Sequence, residues 1–595
     1  MQKVSQKWKD NQNELLTSES FVEVSLKITD PDASKEASPE DNGAIYISNS
    51  QQTVNKVDKV IVPYATLERN MWVLNGSRKI IPTSNYGDCG YISESMCNSN
   101  GLFTTIPIFT IRFSQVHNNL IPGVTILWGT AYDEYATEFI VTAYKGNTIV
   151  ATEKVTGNED ILSVVSFDIV GYDRITITIL EWSMPYRRAR IDEFLAGGVK
   201  IFSKSDLFSY SHSQEVDPVS ASLPKTEISF SLDNSENTYN PHNLDSLAKY
   251  LIERQEVKSR YGYKIGDDIE WIDCGTFYMS EWNASQASLT ADFTARDLLE
   301  FMTDTYYYGV YSPDGVSLYD LALSVLQDAN LPLEEDGSVK WVIDESLKNI
   351  STTAPLPVDT HANCLQLIAN AGCCVLYQDR KGVLRIEPFT QEKTDYEINH
   401  FNSHSRSEIN LSKPLRQVEV SSYSYRVVDA EESTEIYRGS IGISGTEDIT
   451  IQYSGTFADV TAYVTNGTLN SATFYANVCV LNITAEGTVK IVVEGYTLES
   501  SSSRTVIRSG ESGETISVDN PLITSASRAS KIGKWVESYM KNRMILSSDW
   551  RADPRLDALD IITNTNDYNT NEVLITNVKY SYNGAFKGSC EGRVI

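Results

Sequence analysis

Paired carboxylates and closely spaced histidines are the residues of this chain whose types and spacing could do chemistry. Acidic pairs can act as general acid and base on a glycosidic bond, and two acidic clusters stand out, Asp133-Glu134 and Glu334-Glu335-Asp336. His400 and His404 lie four residues apart, a spacing that could bind a metal, but in a polar stretch typical of a loop. Because the formal net charge is −29, we expect the acidic clusters to be solvated loop faces. We expect no catalytic residue, no metal site and no bound cofactor.

Aromatic side chains suggest a second chemistry, the stacking of a ring on a sugar. Tyrosines beside polar and basic groups can form such platforms, and four near predicted turns are candidates for binding a glycan: Tyr86, Tyr91, Tyr132 and Tyr135. In the same region, we expect Trp72 and Trp128 to be core residues.

Three arginines crowd the stretch from Trp182 to Gly197 in this acidic chain. The stretch follows an alternating strand, and the character of the sequence changes after it, which predicts a closing strand at a domain junction. Arg187, Arg188 and Arg190 could bind an acidic ligand or pair with acidic neighbours at the junction. We favour structural pairing.

Length and composition limit the classes of protein. At 595 residues the chain predicts about three to five domains, and its 33 tyrosines with many Ser, Thr, Val and Ile runs favour β-structure. The acidic charge argues against a DNA-binding protein, which would neutralise phosphates with a basic patch. Residues 1–16 are polar and charged, so we expect no signal peptide there. The sequence has no apolar run of about 18 residues that could span a membrane. Its eight cysteines predict reduced, mostly buried thiols, with Cys89–Cys97 the one disulfide to test.

Hydrophobic periodicity predicts the order of the elements. Strands are expected at residues 21–28 and 44–48, and eight or so short strands between about 64 and 197 indicate a sandwich or jelly roll. Residues 379–382 (Asp-Arg-Lys-Gly) are predicted to form a hairpin turn without a chemical role. Helical spacing predicts a helix that starts at 295–302 and further helices at 318–330, 361–374 and 525–544. Residues from about 430 to 520 are almost purely β, and a strand at 573–582 is expected to close the chain.

Four segments of the sandwich region resemble a discoidin-like, galactose-binding-type jelly roll. They are residues 71–82 (MWVLNGSRKIIP), 90–93 (GYIS), 107–113 (PIFTIRF) and 185–193 (PYRRARIDE). Members of that family bind glycans, lipids or proteins through loops at one end, sometimes with a structural calcium. The resemblance therefore implies a recognition module and allows a Ca²⁺ ion in it, while its ligand loops match too poorly to carry over ligand residues.

The rest of the chain resembles a baseplate or tail-tip hub of tailed bacteriophages. The motifs that carry this resemblance, in chain order, are residues 273–282 (DCGTFYMSEW), 290–300 (TADFTARDLLE), 365–388, and the ending 552–561 with 580–588. Hubs of that type are homotrimers with two similar β-barrels per subunit. The resemblance implies a ring of six barrels that matches a six-fold tail tube.

Together these expectations give a mainly β, multidomain chain with an α/β part. The first hub barrel starts in residues 1–60, after an N-terminal arm, and resumes at 198–300 after a discoidin-like sandwich inserted at 61–197. An α/β bridging domain follows at 301–400. The second hub barrel comprises 401–430 and 525–595, with a Ser/Thr-rich β insert at 431–524.

The function implied is that of a structural hub without enzymatic activity. Such a hub caps the tail tube as a trimer, docks the tape-measure protein and contacts the tail tube or distal tail protein and other baseplate proteins. It resides in the virion after assembly in the host cytoplasm. The alternative is a receptor-binding protein that holds a host-surface glycan through the discoidin-like domain. We expect no stable nucleic-acid binding, no membrane span and no appended lytic domain after Ile595, and we hypothesise that part of the acid excess lines a DNA-repelling lumen.

Overall fold

The computed structural model describes most of the chain. Outside the described residues lie 13, 15–17, 30–32, 34–35, 55–61, 82–86, 88, 119, 204–205, 236, 238, 241–250, 252, 267, 285–288, 334–337, 390–392 and 429–432, together with the side chains of 27–29 and 198–200. The described part is mostly β, with several sheets, four α-helices and more than one core. The expected fold class, a multidomain mainly β chain with an α/β part, is thus confirmed. None of the described helices is long and apolar enough to cross a membrane.

The sandwich consists of two sheets that share one core. The chain reaches it through α1 (Gln6–Gln12), β1 (Ser20–Thr29) and β2 (Ser38–Glu40). Its other strands are β3 (Tyr91–Met96), β4 (Ile108–His117), β5 (Ile121–Trp128), β6 (Ala136–Lys145), β7 (Thr148–Thr156), β8 (Leu162–Ile169), β9 (Tyr172–Trp182) and β10 (Arg188–Leu195). The sheet orders are β3-β10-β5-β8 and β2-β4-β9-β6-β7. Alternation places every second side chain on the inner face, so Ile175, Ile177 and Ile179 of β9 are fully buried.

The entry into the sandwich differs from the expectation. The predicted strand at 44–48 is wrong, because only Ala44 forms a β-bridge there, to Ser93. Ala33 and Ala37 already belong to the sandwich core, and β2 pairs with β4. The chain therefore enters this core well before residue 61.

Strands from the two ends of the chain form one thirteen-stranded sheet. The early strands are β1, β11 (Gly197–Phe202), β12 (Leu207–Glu215), β13 (Lys225–Asp233), β14 (Glu256–Ile265), β15 (Asp268–Asn283) and β16 (Thr290–Arg296). After β16, the helix expected at 295–302 is instead a 3₁₀ turn, Leu298–Phe301, whose N-cap is Asp297.

The α/β segment has its own core, built around two helices. Its strands are β17 (Thr305–Tyr306), β18 (Val316–Ser317), β19 (Trp341–Ile343), β20 (Ser351–Thr352), β21 (Asp359–Thr360), β22 (Cys374–Gln378) and β23 (Leu384–Pro388). The helices are α2 (Leu318–Asp328) and α3 (His361–Gly372), as helical spacing predicted. Ser317 and Thr360 cap their first turns, which satisfies backbone N–H groups that have no partner within the helix. The predicted hairpin at 379–382 joins β22 to β23, with Gly382 at φ +78°.

The later strands divide between a six-stranded sheet and the large sheet. The six-stranded sheet contains β26 (Leu415–Val427), β27 (Thr434–Gln452), β28 (Phe457–Thr465), β29 (Thr468–Phe474), β30 (Val478–Arg508) and β31 (Glu514–Val518). The helix predicted at 525–544 is α4 (Ala526–Met540), and it packs on this sheet around Ile532 and Val536. The large sheet receives β24 (Lys393–Ile398), β25 (Glu408–Leu411), β32 (Met544–Trp550), β33 (Ile561–Thr565), β34 (Thr570–Tyr582) and β35 (Phe586–Val594). The strand expected to close the chain, β34, is thus followed by β35.

The strands assigned to two barrels meet at one seam and share one core. Strand β12 pairs with β34, where His212 lies opposite Tyr580, and a single hydrophobic cluster extends from Trp8 to Val594. The His212 ring stacks on that of Tyr580, with centroids 6.1 Å apart. Its Nδ1 lies 2.8 Å from the Tyr261 hydroxyl. The two ends of the chain therefore share one sheet and one core, which together we call the frame.

This seam makes the stability of the frame depend on pH. Burial, with a smaller effect of the Arg380 charge, lowers the pKa of His212 from 6.5 to about 3. The folded state then keeps His212 neutral while the unfolded state binds a proton below pH 6.5, so stability falls as the pH decreases through that value. Between pH 7.5 and 5.5, we expect His212 to remove about 1.4 kcal/mol from the free energy of unfolding. Urea unfolding at the two pH values, monitored by hydrogen exchange of the peptides of β12 and β34, measures this loss of stability.

A variant isolates this effect from other groups. Burial raises the pKa of Asp297 to about 7, so this carboxyl acts in the opposite direction and stabilises the fold less as the pH rises. The His212→Asn variant lacks the pH-dependent contribution of the histidine to stability but keeps the contribution of Asp297. Equal pH slopes for the wild type and this variant would contradict a neutral, buried His212.

Candidate functional site

The three arginines of the junction lie in a buried charge cluster at one end of the sandwich. Arg188 and Arg190 are on β10, and Arg187 directly precedes it. Tyr186 has a left-handed backbone (φ 58°), and the pairing of β10 with β3 is irregular between Arg188 and Arg190. Such irregularities redirect side chains, and here they allow the arginines to contact different partners.

Two buried glutamates balance Arg187 and Arg190. Arg187 Nε donates to Glu134 Oε1 at 2.7 Å, and Arg190 Nη2 donates to Glu68 Oε2 at 2.6 Å. Glu134 also accepts from the Trp182 indole at 3.1 Å. Burial opposes ionisation of Glu68, but the Arg190 charge and several hydrogen bonds keep its pKa below the ordinary value. The Glu68–Arg190 pair is therefore charged, and both pairs are shielded from water.

Arg188 completes the cluster through the backbone. Its backbone N–H donates to Glu68 Oε1 at 2.7 Å, and its guanidinium donates to the carbonyls of Ser93 and Glu94. The cluster thus ties β10 to the loop that carries Glu68, to the turn that carries Glu134, and to β3. Arg187 and Arg190 thus have the acidic partners that we favoured for the three arginines, whereas the Arg188 guanidinium contacts backbone carbonyls.

The candidate glycan-binding tyrosines do not form a common platform among the described residues. Tyr86 lies outside the described residues. Tyr91 is 0% exposed and packs on Phe109, so the expectation that it meets a sugar is wrong. Tyr132 is held between Arg78 and Arg190, whose guanidinium carbons lie 4.9 and 4.6 Å from its ring centroid. Tyr135 is half-buried, and its backbone N–H donates to Ser183 Oγ.

An exposed apolar loop lies beside the cluster. Trp128 is buried, as predicted, but Trp72 is 55% exposed, so its assignment to the core is wrong. Leu67, Leu74 and Ile80 are also exposed on this stretch, which we call the apolar loop (residues 67–80). Several large apolar side chains exposed on one segment can mark an interaction site, and the buried Glu68–Arg190 pair anchors the segment that carries them.

Other candidate chemistry of the sequence has structural explanations. Glu134 is buried and paired, so the expectation of a solvated Asp133-Glu134 face is wrong for this residue, while residues 334–336 lie outside the described residues. Across the described chain, no group of three or more His, Cys, Asp or Glu side chains could hold a metal ion. His400 and His404 line a surface cleft with Arg406 and Tyr568. No disulfide joins any of the eight cysteines, all of which the structure describes. The thiols of Cys89 and Cys97 lie within hydrogen-bonding distance of the carbonyls of Ile47 and Met184.

A cysteine–histidine contact in the frame is closed to substrates. Cys274 Sγ lies 3.3 Å from His212 Nδ1, a distance that could suggest an activated thiol. Burial raises the pKa of Cys274 instead of lowering it, and both side chains are fully buried. The contact belongs to the packing of the frame.

Arg380 is the residue whose role the sequence did not reveal. From the turn between β22 and β23, its Nε donates to Asp557 Oδ1 at 2.6 Å. Its Nη1 donates to the Asp273 carbonyl at 3.1 Å, and its Nη2 to the Leu556 carbonyl at 3.0 Å. Burial opposes the charge, yet the Asp557 carboxylate and nearby groups keep the pKa of Arg380 above its ordinary value. The only signal in the sequence was an arginine in a tight turn, where a solvated side chain is the usual expectation.

The buried charge cluster predicts a large loss of stability when one partner is removed. Arg190→Met leaves Glu68 buried without its counter-charge, and we expect the sandwich to lose about 3–5 kcal/mol. Urea unfolding followed by the fluorescence of the buried Trp128 and Trp182 measures it.

Two variants serve as controls. In Arg190→Met with Glu68→Leu both charges are removed, and we expect most of the stability to return. Arg112→Met breaks the exposed pair with Glu40 in the same sandwich and should cost no more than about 1 kcal/mol. A loss in Arg190→Met as small as that in Arg112→Met would show that the cluster does not hold the loops.

Comparison with known proteins gives structural likenesses only. No protein-family model matches the sequence, and no curated protein matches it. Among solved structures, the chain is similar to the 43 kDa tail protein of prophage MuSo2 from Shewanella oneidensis, with 11% identity and a TM-score of 0.36 over 66% of this chain and 95% of that chain. It is also similar to a tail protein from Neisseria meningitidis MC58 (9% identity, TM-score 0.39, 67% and 94% covered). A third similar structure is the prophage tail protein gp18 from Listeria monocytogenes EGD-e, with 10% identity and a TM-score of 0.36 over 67% of this chain and 91% of that chain.

Proposed function

We propose that this chain is a structural, non-enzymatic hub of a phage tail tip or baseplate. The observation that carries the proposal is the frame, in which strands from both ends of the chain share one sheet and one core. The sandwich and the six-stranded sheet leave this frame as separate units with their own cores. Such an arrangement suits a protein that holds several neighbours at fixed positions. The hub-like motifs at 273–282, 290–300 and 580–588 lie in the same frame, which supports the same assignment.

The proposed assembly is a homotrimer that caps the tail tube. Closed rotational symmetry is the usual outcome when a subunit repeats one interface, and two frame halves per subunit would place six similar units around a three-fold axis. That number matches a six-fold tube. In this position the hub would contact the tail tube or distal tail protein, the tape-measure protein and peripheral baseplate proteins, within a virion assembled in the host cytoplasm.

We propose that the sandwich is a discoidin-like module that contacts a neighbouring tail protein. The exposed side chains Leu67, Trp72, Leu74 and Ile80 offer an apolar surface for that contact. Among the tyrosines that were candidates for binding a glycan, Tyr91 is buried and Tyr132 already has cations on its ring. We therefore favour a protein neighbour over a host glycan for this module.

The charge of the chain suits a passage for DNA. A channel through which DNA moves must not bind it, and a ring of copies that each carry −29 would repel phosphate. We propose that part of the acid excess faces the lumen. A ring whose lumen is neutral or basic would contradict this.

The proposed assembly predicts the mass and shape of the purified protein. We expect sedimentation analysis to give three copies of the 66.4 kDa chain, and negative-stain images to show a three-fold ring with a central opening. Addition of the tail-tube protein of the same phage should give a complex in which the ring closes one end of the tube.

Two outcomes would count against the hub. One is a protein that stays monomeric at micromolar concentration both alone and with the tube protein. The other is a closed oligomer without an opening along its axis. A Trp72→Ser variant should still form the ring, because the apolar loop lies on the sandwich and outside the frame.

A further inference from the structure

A groove of about 430 Å³ lies where four segments of the fold meet. Helices α3 and α4, strand β31 and the segment after β12 (residues 217–221) line it. Its apolar lining includes the buried Ile532 and Val536 of α4. The half-buried apolar residues of the lining are Val219, Leu367, Ile516, Val518, Trp535 and Met540. An apolar occupant that covers these half-buried side chains removes apolar surface from water, which is favourable for binding.

One wall of the groove is the edge of a sheet. Strand β31 is the last strand of the six-stranded sheet, and among the described strands it pairs only with β26, in parallel. Ile516, Ser517 and Val518 of β31 line the groove. An edge strand presents backbone N–H and C=O groups that can pair with an added strand. The groove therefore offers hydrogen bonds along its length as well as apolar contacts.

A buried amide in the groove has an unused acceptor. Gln366 of α3 is 6% exposed, and its Nε2 donates to the Ser220 carbonyl at 3.1 Å and to Asn370 Oδ1 at 3.2 Å. Its Oε1 has no hydrogen-bond partner among the described residues. A buried acceptor without a donor costs free energy, so a donor brought by an occupant would be stabilising.

The charged residues that line the groove are all acidic. Asp217, Asp359 and Asp519 line it, and no lysine or arginine among the described residues does. Asp359 accepts a hydrogen bond from Asn363 Nδ2, and Asp519 accepts one from the Tyr423 hydroxyl. Neither of these two partners carries a positive charge, whereas Asp217 interacts with the charge of Arg593. An occupant with Lys or Arg side chains complements this lining.

We propose that the groove binds an extended segment of a partner protein that adds a strand to β31. The segment has apolar residues at alternate positions, which enter the groove, and Lys or Arg between them, which face the aspartates. Pairing with the edge supplies the backbone hydrogen bonds, and an N–H of the segment reaches Gln366 Oε1. This site goes beyond the proposed hub function and does not depend on a trimer.

The test uses the full-length protein and a fluorescent peptide of about ten residues in which valine alternates with lysine. We expect saturable binding by fluorescence anisotropy, together with slower hydrogen exchange at residues 514–519. A peptide with glutamate in place of lysine should bind at least about tenfold more weakly, as should the lysine peptide to Val518→Lys, a loss of about 1.4 kcal/mol. N-methylation of alternate peptide bonds, which prevents strand pairing, should have the same effect.

Matched variants keep the result independent of folding. Val342→Lys changes an exposed valine on β19, the edge strand of the small sheet of the α/β segment, and should bind like the wild type. Asp519→Lys changes an exposed residue and should weaken binding without perturbing the circular dichroism spectrum. Absence of saturable binding, equal binding of the glutamate peptide, or exchange protection confined to other segments would overturn the proposal. Self-association of the chain that Val518→Lys abolishes would also overturn it, because the occupant would then be a second copy.

Discussion

A single buried guanidinium, that of Arg380, connects three parts of the fold. It enters from the α/β segment and pairs with Asp557 of the late strands' region, and it donates to the backbone at Asp273 and Leu556. A buried charge is costly without partners, and here Nε, Nη1 and Nη2 of Arg380 each donate to a carboxylate or a carbonyl. The same charge contributes to keeping His212 neutral at the β12–β34 seam. The geometry of the frame and the protonation of its core are thus coupled through one side chain.

Contacts between residues far apart in the sequence allow the frame to carry long insertions. The frame closes on itself through contacts between residues separated by hundreds of positions, such as the Tyr582 hydroxyl and the Ser20 carbonyl at 3.0 Å. The sandwich leaves the frame after β1 and returns through β10 and β11, and the six-stranded sheet leaves after β25 and returns through α4. Because each unit has its own core, it need not contribute to the core of the frame. Such units can vary in surface while the frame is preserved.

Local patterns in the sequence predicted the helices and strands well, but they did not predict which distant residues contact each other in the fold. Helices α2, α3 and α4 and the alternating strands of the sandwich follow from periodicity and capping, which depend on neighbours along the chain. The strand predicted at 44–48 failed because a short alternating run becomes a strand only with a partner beside it, and Ala44 has a single bridge. Glu134 was expected in solvent, and the turn that carries Arg380 was expected to have no chemical role, because nothing local marks these two residues as buried. Their partners lie 53 and 177 positions away in the sequence, and only the tertiary fold brings those charges together.

The distribution of charge limits how such a protein can associate. The buried pairs Arg190–Glu68, Arg380–Asp557 and Arg555–Asp553 are each neutral, so the excess of −29 is carried outside them. Surfaces that share an acidic excess repel one another over about a Debye length, roughly 8 Å at physiological salt. Any interface between copies or with an acidic neighbour must therefore gain its free energy from apolar burial or from local basic groups. The apolar loop and the groove beside β31 are therefore suited to different partners. The loop includes Arg69, Arg78 and Lys79 and suits an acidic surface. The groove has an acidic lining and suits a basic segment.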